Sequence, residues 1–208
     1  AKGMRLVGPN CIGSVGGKDR VLATFSPVFT ADSTKVAPGN VALISQSGAL
    51  GYGTYSLGLE QGLPIGVAVT TGNEADVSAL EIAEELSQAK EIDTILLYLE
   101  GVDSFQRIKN IAKAKPTAVL KAGRSNAGAA AAASHTGALA TADRVIDAAL
   151  RQAGAIRVND VEELLDAGAV FAANADATAA KRIAIITTSG GSGILAVDAI
   201  ESFADKSN

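Results

Sequence analysis

NVALISQSGALGYGTYSLGLEQG, residues 40–62, decides the fold. It opens on VALIS (41–45), an apolar run of strand length, turns through Gln-Ser-Gly, and continues over 49–61 as a helix-like stretch. An apolar strand that enters a helix through so short a turn is one βα unit of a buried parallel sheet. The rhythm repeats along the chain. IGVAVTTG reads as the next strand, and DVSALEIAEELSQA spaces Val77, Leu80, Ala83 and Leu86 as an amphipathic helix spaces its buried stripe. TILLYLEG is a strand. Asp103 and Gln106 read as a capping box for a helix striped by Phe105, Ile108 and Ile111, which Lys115-Pro116 ends. TAVLK is a strand, GRSNAGAAAAASHTG a long loop, and TADRVIDAALRQAG a helix closed by Gly154. AIRV is a further strand, and Asp160 and Glu163 open one more helix. The alternation predicts the α/β class: a five-stranded, mainly parallel sheet over 40–172 with helices on both faces.

The flanks extend this pattern. MRLVGPNCIGSVGG reads as a short strand followed by a Gly/Pro/Asn loop, and VLATFSP as a second strand. After FAANADATAAK, a small-residue linker, RIAIITTSGGSGILAVDAIESFA (182–204) repeats the layout of 40–62. It reads as the first βα unit of another domain of the same type. The start, AKGMRLVG, enters a strand almost at once, and the end, AIESFADKSN, stops in a helix-like segment, so both read as cuts within a longer chain.

The bulk numbers bound the function. With 208 residues, 48% of them hydrophobic and 4% aromatic, the chain is a globular candidate rich in small apolar residues. A net charge of −4 argues against a nucleic-acid or acidic-membrane surface. One cysteine excludes an intrachain disulfide framework and fits a reducing cytoplasm. No apolar run reaches the roughly 20 residues of a membrane span, and no signal peptide is visible.

Chemistry concentrates in the turns. A tight turn from a parallel strand into a helix aims free N–H groups at one point, where the helix dipole adds about half a positive charge; phosphate suits such a place. Ser45, Ser47, Gly48 and Ala49 form one such turn, and Thr188, Ser189, Gly190, Gly191 and Ser192 the other. Neither matches a Walker loop or GxGxxG, and close helix–sheet packing also explains the glycines. Active sites of open α/β sheets lie at the carboxyl ends of the strands. Ser47 is there, as are Glu100, which ends TILLYLE, and the loop that carries His135, the single histidine. Cys11 reads either as a small buried hydrophobe or as part of the site, and Lys121 and Arg124 as anion attractors or solvated loop charges. Asn73, Glu74 and Asp76 line the same rim or serve as turn and cap residues. A serine hydrolase with Ser47 as nucleophile and His135 as base lacks its GxSxG, because position 45 is serine. A non-catalytic binding or assembly module is the remaining reading of the residues.

GPNCIG, SQSGALGYG, LEG, KAGRSNAG, SHTGALA and TTSGGSGILA, in that order, resemble the nucleoside-diphosphate-forming acyl-CoA synthetases, relatives of succinyl-CoA synthetase. The resemblance covers essentially the whole chain. It implies a flavodoxin-like domain over 36–173, the tail of a Rossmann CoA-binding domain over 1–35, and the start of a second flavodoxin-like domain over 180–208. It implies the reaction acyl-CoA + ADP + phosphate = carboxylic acid + CoA + ATP, through an acyl phosphate and a phosphohistidine. His135 is then the phosphorylated residue and Glu100 the carboxylate that holds its imidazole. The two helix starts, at Ser47, Gly48 and Ala49 and at Ser189, Gly190, Gly191 and Ser192, receive the phosphoryl group. Asn10 and Cys11 lie near the thiol end of CoA. Gly123, Gly128 and Gly137 give the histidine loop freedom to swing. ADP or ATP and magnesium belong to an ATP-grasp subunit or domain outside this chain, which alone is expected to be inactive, and no metal site is expected within it. A cytoplasmic homo- or hetero-oligomer is implied. The resemblance has a rival, the regulatory synthetase-like region of a bacterial protein lysine acetyltransferase; that region can lack the histidine, which is intact here.

Overall fold

A computed structural model of the chain describes residues 3–16, 21–29, 36–125, 127–130, 142–173 and 183–205. They belong to two compact units, Ala1–Ala175 and Asp176–Asn208. The first is built on seven strands: β1 (Gly13–Gly16), β2 (Val21–Thr24), β3 (Val41–Ser45), β4 (Ile65–Thr70), β5 (Thr94–Leu99), β6 (Thr117–Lys121) and β7 (Ile156–Val158). Their order across the sheet is β2-β1-β4-β3-β5-β6-β7. The strands β3 to β7 are mutually parallel where they pair. Their order, β4-β3-β5-β6-β7, is the flavodoxin order in which the chain winds first one way and then the other.

The helices α1 (Gly48–Glu60), α2 (Ala79–Ser87), α3 (Phe105–Ala114), α4 (Asp143–Ala153) and α5 (Val161–Ala173) cover both faces. Successive strand residues point to opposite sides. Ile44, Leu97 and Val119 therefore pack with Ile108 and Ile111 of α3 and Ile146 and Leu150 of α4. Leu43, Leu96 and Leu120 pack with Tyr52 and Tyr55 of α1 and Leu164 and Leu165 of α5. Small residues bring α1 close: a Cβ on Gly51 would stand 2.7 Å from the Cβ of Ser45. At the end of α4, Gly154 takes the left-handed conformation at φ 84° that closes the helix.

Several expectations shift. The sheet has two strands more than the predicted five, because β1 adds antiparallel to β4 and β2 adds antiparallel to β1. The segment read as a tail over 1–35 thus contributes to this same sheet. The predicted strand around 4–7 is not one. Backbone at positive φ at Gly8 and Asn10 breaks it, and its carbonyls accept instead from the β4–α2 loop. The strand follows the loop at Gly13–Gly16. At α3 the cap is Ser104 rather than Asp103: the Ser104 hydroxyl stands where the Arg107 N–H can donate to it, at 3.3 Å. The Asp160 carboxylate accepts from the Glu163 N–H at 2.8 Å, as the sequence suggests. The long loop after β6 begins with a helical turn at 127–130, where Ser125 accepts from the amides of Gly128 and Ala129.

In the second unit, Gly190–Asp205 forms helix α6. Residues 183–187, expected as a strand, form no ladder, since no neighbouring strand is described in that unit to supply partners. Their apolar side chains lie exposed, Ile186 almost completely. No helix among the described residues is long and apolar enough to cross a membrane.

Candidate functional site

Parallel strands deliver their carboxyl ends to one rim, so residues distant in sequence meet there. At the end of β3 the chain turns through Gln46 and Ser47 into α1. Ser47 is extended, at φ −95° and ψ 125°, and serves as N-cap residue, but its hydroxyl makes no cap bond. The turn is held from inside by Ser45, whose hydroxyl donates to the Ser47 carbonyl at 2.7 Å and accepts from the Ser47 N–H at 3.1 Å. The Ser47 carbonyl in turn accepts from the Gly51 N–H at 3.0 Å. The amides of Gly48 and Ala49 precede the first helical carbonyl that an amide can reach, so they point out of the helix end.

The second unit, taken by itself, repeats these three bonds and adds a side-chain cap. The Thr187 hydroxyl donates to the Ser189 carbonyl at 3.1 Å and accepts from the Ser189 N–H at 3.0 Å. The Ser189 carbonyl accepts from Gly193 at 3.2 Å, and the Ser189 hydroxyl from the Ser192 N–H at 3.4 Å. Thr187 rather than Thr188 is therefore the counterpart of Ser45. Ser189, Gly190, Gly191 and Ser192 occupy the start of α6.

Within the first unit the 8–12 loop reaches the same rim. The amides of Ile12 and Gly13 donate to the Thr70 hydroxyl at 2.9 and 3.1 Å. Ile12 also packs on Gly48, where a Cβ would lie 2.7 Å from its Cγ1. The Asn10 side chain donates to Asn73 at 3.1 Å. The half-buried Cys11 thiol lies 3.7 Å from the Val7 carbonyl oxygen. Pro9 and Gly8 accept from Asn73 and Ala75, each at 2.9 Å.

Glu100 follows directly on β5. The Tyr98 hydroxyl meets its carboxylate, and burial, together with that charge and bond, pushes the Tyr98 hydroxyl up. Lys121, at the end of β6, is 8% exposed and donates to the Ala122 carbonyl at 2.5 Å. Burial first and Arg157 second push its pKa down, while Asp143 and Glu100 oppose them. Arg157 on β7 pairs with Asp143 at the start of α4, which holds that carboxyl below its usual range. Arg124 meets Asn159. Asp76 is engaged elsewhere, with Arg5 and the Leu6 amide.

His135 and Gly137 lie outside the described residues. Two residues of the rim, Gln46 and Thr70, carry no site motif of their own in the sequence. Gln46 lies in the turn just beyond β3, between Ser45 and Ser47. Its side chain accepts from the amides of Glu100 and Gly101 at 2.6 and 2.9 Å and donates to Glu74 at 3.0 Å. Glu74, read as either a rim or a cap residue, accepts from the Thr71 hydroxyl at 2.7 Å and from the Ala79 amide of α2 at 2.8 Å.

Strand order and turn geometry define a flavodoxin-like domain with polar groups gathered on its carboxyl rim. Residues 38–171 match the succinyl-CoA ligase like flavodoxin domain, and the chain belongs to that family. It is 39% identical over 203 residues to the alpha subunit of acetate–CoA ligase [ADP-forming] I of Pyrococcus furiosus, covering 96% of this chain and 42% of that subunit. It is 39% identical over 207 residues to acetate–CoA ligase [ADP-forming] I of Archaeoglobus fulgidus, covering 97% of this chain and 29% of that ligase. Among solved structures it resembles the dinucleotide forming acetyl-coenzyme A synthetase 1 of Ca. Korarchaeum cryptofilum in complex with phosphate and ADP. That match has a TM-score of 0.85 at 33% identity, covering 98% of this chain and 43% of the other. The chain thus spans less than half the length of each of these relatives.

Proposed function

We propose that this chain is the part of an NDP-forming acyl-CoA synthetase that carries the transferred phosphoryl group on His135. The observation that carries the reading is its 39% identity to an ADP-forming acetate–CoA ligase subunit across 96% of the chain. The relatives named above are CoA ligases or synthetases, which favours this reading over a regulatory region. Residues 36–173 form the phosphohistidine domain, the 1–35 segment leads out of a CoA-binding domain and adds β1 and β2 to the edge of this sheet, and 180–208 begin a second flavodoxin-like domain.

In the proposed sequence, phosphate displaces the CoA thiolate from the acyl group. The unprotonated imidazole nitrogen of His135 then attacks phosphorus; the bond from phosphorus to the acyl oxygen breaks, and the carboxylate leaves. The resulting phosphoramidate passes its phosphoryl group to ADP. Glu100 accepts a hydrogen bond from the proton-bearing nitrogen of the ring, which selects the tautomer and offsets the charge that develops during attack. The helix starts at Ser47, Gly48 and Ala49 and at Ser189, Gly190, Gly191 and Ser192 hold the phosphoryl oxygens through backbone N–H groups. The outward direction of the Gly48 and Ala49 amides in the first of these turns suits that role. Asn10 and Cys11 stand by the thiol end of CoA, in keeping with the anchoring of Asn10 to Asn73 on the rim. An ATP-grasp subunit or domain supplies the nucleotide and magnesium site, in a cytoplasmic oligomer.

The test uses the complete enzyme with its ATP-grasp part. Incubation with γ-labelled ATP and magnesium is expected to give an acid-labile, base-stable phosphoprotein. His135→Ala and His135→Asn abolish the label, while Glu100→Gln slows its formation without removing the site. Undiminished label in His135→Ala overturns the reading.

A further inference from the structure

We propose that Gln46 is a positioning residue that fixes Glu100 for its partner imidazole. The inference rests on the reading that Glu100 orients His135. The end of β5 is tied to the end of β3 twice by this one residue. The Gln46 main-chain N–H donates to the Tyr98 carbonyl at 3.1 Å. Its side-chain oxygen accepts from both the Glu100 amide, at 2.6 Å, and the Gly101 amide, at 2.9 Å. The peptide that joins Leu99 to Glu100 is held from β6 through its carbonyl, which accepts from the Ala122 N–H at 2.9 Å, and from β3 through its N–H, so the Gln46 oxygen helps to set where the Glu100 Cα stands.

The amide nitrogen end of Gln46 is anchored just as firmly. It donates to one oxygen of Glu74 at 3.0 Å. The other oxygen of Glu74 is held by the Thr71 hydroxyl and by the Ala79 amide at the start of α2. The ends of β3, β4 and β5 are therefore joined through a single carboxamide.

The chemistry of the two ends selects glutamine. Two N–H donors on one side require an acceptor, and a carboxylate on the other requires a donor. Asparagine carries both groups but is one methylene short. Methionine has the length and neither group. Glutamate has the acceptor, but when ionised it sets a second carboxylate against Glu74. When protonated it restores the donor, so a glutamate at 46 is competent only with its proton on. The charged and titratable groups around this point are Glu74 from the β4–α2 loop, which bonds the carboxamide directly, Glu100, whose backbone N–H donates to it, and Tyr98 of β5 and Lys121 of β6, which act on Glu100.

The experiment measures single-turnover phosphorylation of the complete enzyme in Gln46→Met, Gln46→Glu, Glu100→Gln and the double variant Gln46→Met/Glu100→Gln. Circular dichroism melts establish the folded fraction of each, and rates refer to folded protein. Gln46→Met is expected to slow phosphorylation roughly 10- to 100-fold, the scale of a misplacement of about 1 Å, with KM for phosphate and acyl-CoA within about twofold of wild type. The double variant is expected within about twofold of Glu100→Gln alone, because Gln46 acts through Glu100; a merely structural role makes the two losses multiply. The ratio of the Gln46→Glu rate to the wild-type rate is expected to climb as pH falls, as the 46–74 pair takes up its shared proton. Gln46→Met at the wild-type rate, multiplicative losses, or a Gln46→Glu ratio flat with pH each overturns the role of Gln46. Glu100→Gln at the wild-type rate, or label persisting in His135→Ala, instead overturns the phosphohistidine reading beneath it.

Discussion

Replacing Gly72 by alanine is expected to pry the 8–10 turn from the rim. Gly72 has φ +62°, and a Cβ there would lie 2.3 Å from the Pro9 carbonyl oxygen, 2.4 Å from that of Asn10 and 2.5 Å from the Asn10 carbonyl carbon. All three are backbone atoms, so no side-chain rotation relieves the overlap. The left-handed conformation costs a non-glycine residue about 1–2 kcal/mol. The stiffer unfolded chain returns about 0.4–1 kcal/mol of that. Relief of the overlap requires the turn to move, which strains the bonds from Asn73, Ala75 and Val77 to Pro9, Gly8 and Leu6, at 2.9, 2.9 and 3.1 Å. Three backbone bonds at about 0.5–1.5 kcal/mol each set the scale of full detachment, and overpacking without detachment typically costs about 1–3 kcal/mol. The net expectation is a loss of roughly 2–4 kcal/mol. Urea unfolding measures the loss, and hydrogen exchange locates it: the amides of 73, 75 and 77 lose protection while the β3–β4 ladder keeps it. Gly53→Ala is the control. It lies in α1 with nothing within 4 Å of its Cβ position, and is expected to stabilise by about 0.5–1 kcal/mol. Wild-type stability for Gly72→Ala with those amides still protected would refute the reasoning.

Three further outcomes follow from the same structure. Leu97→Ala, at a fully buried site on β5, is expected to cost about 2–5 kcal/mol in chemical denaturation; a loss under 1 kcal/mol counts against the packing described. Asp143 has a depressed folded-state pKa, so the stability it lends is present above the ordinary carboxylate range and fades as pH falls through the folded value. Asp143→Asn therefore costs about 1–3 kcal/mol at neutral pH, discounted for the partial exposure of Asp143. The difference from wild type closes in acid, as melts between pH 2 and 7 will read; a gap unchanged with pH defeats the argument. Ser47→Asp keeps a good N-cap residue but sets a negative charge at the helix start, so calorimetry is expected to find phosphate binding by the complete enzyme weakened at least about 10-fold with thermal stability undiminished; equal affinity speaks against an anion site there.

What the sequence determined was local and periodic. VALIS and TILLYL read as buried strands because both of their faces are apolar, and the helices between them carry stripes at helical spacing. Alternation of the two forces parallel pairing, and parallel pairing alone places the ends of β3, β4, β5 and β6 on one rim. The turn chemistry of Ser45 to Gly51 was legible for the same reason: every bond in it spans six residues or fewer. Tertiary structure decided what depends on partners far along the chain. The antiparallel addition of β1 to the edge of β4 has no periodic signature, since an edge is available to any segment the fold brings near it. The choice between Asp103 and Ser104 as cap turned on a backbone angle that composition does not encode. The Gln46 bridge joins residues 28 and 54 positions away. A single carboxamide meets those partners only after three strands have lined up, because hydrogen bonds reach about 3 Å and sequence pattern says nothing at that range about side chains on different strands.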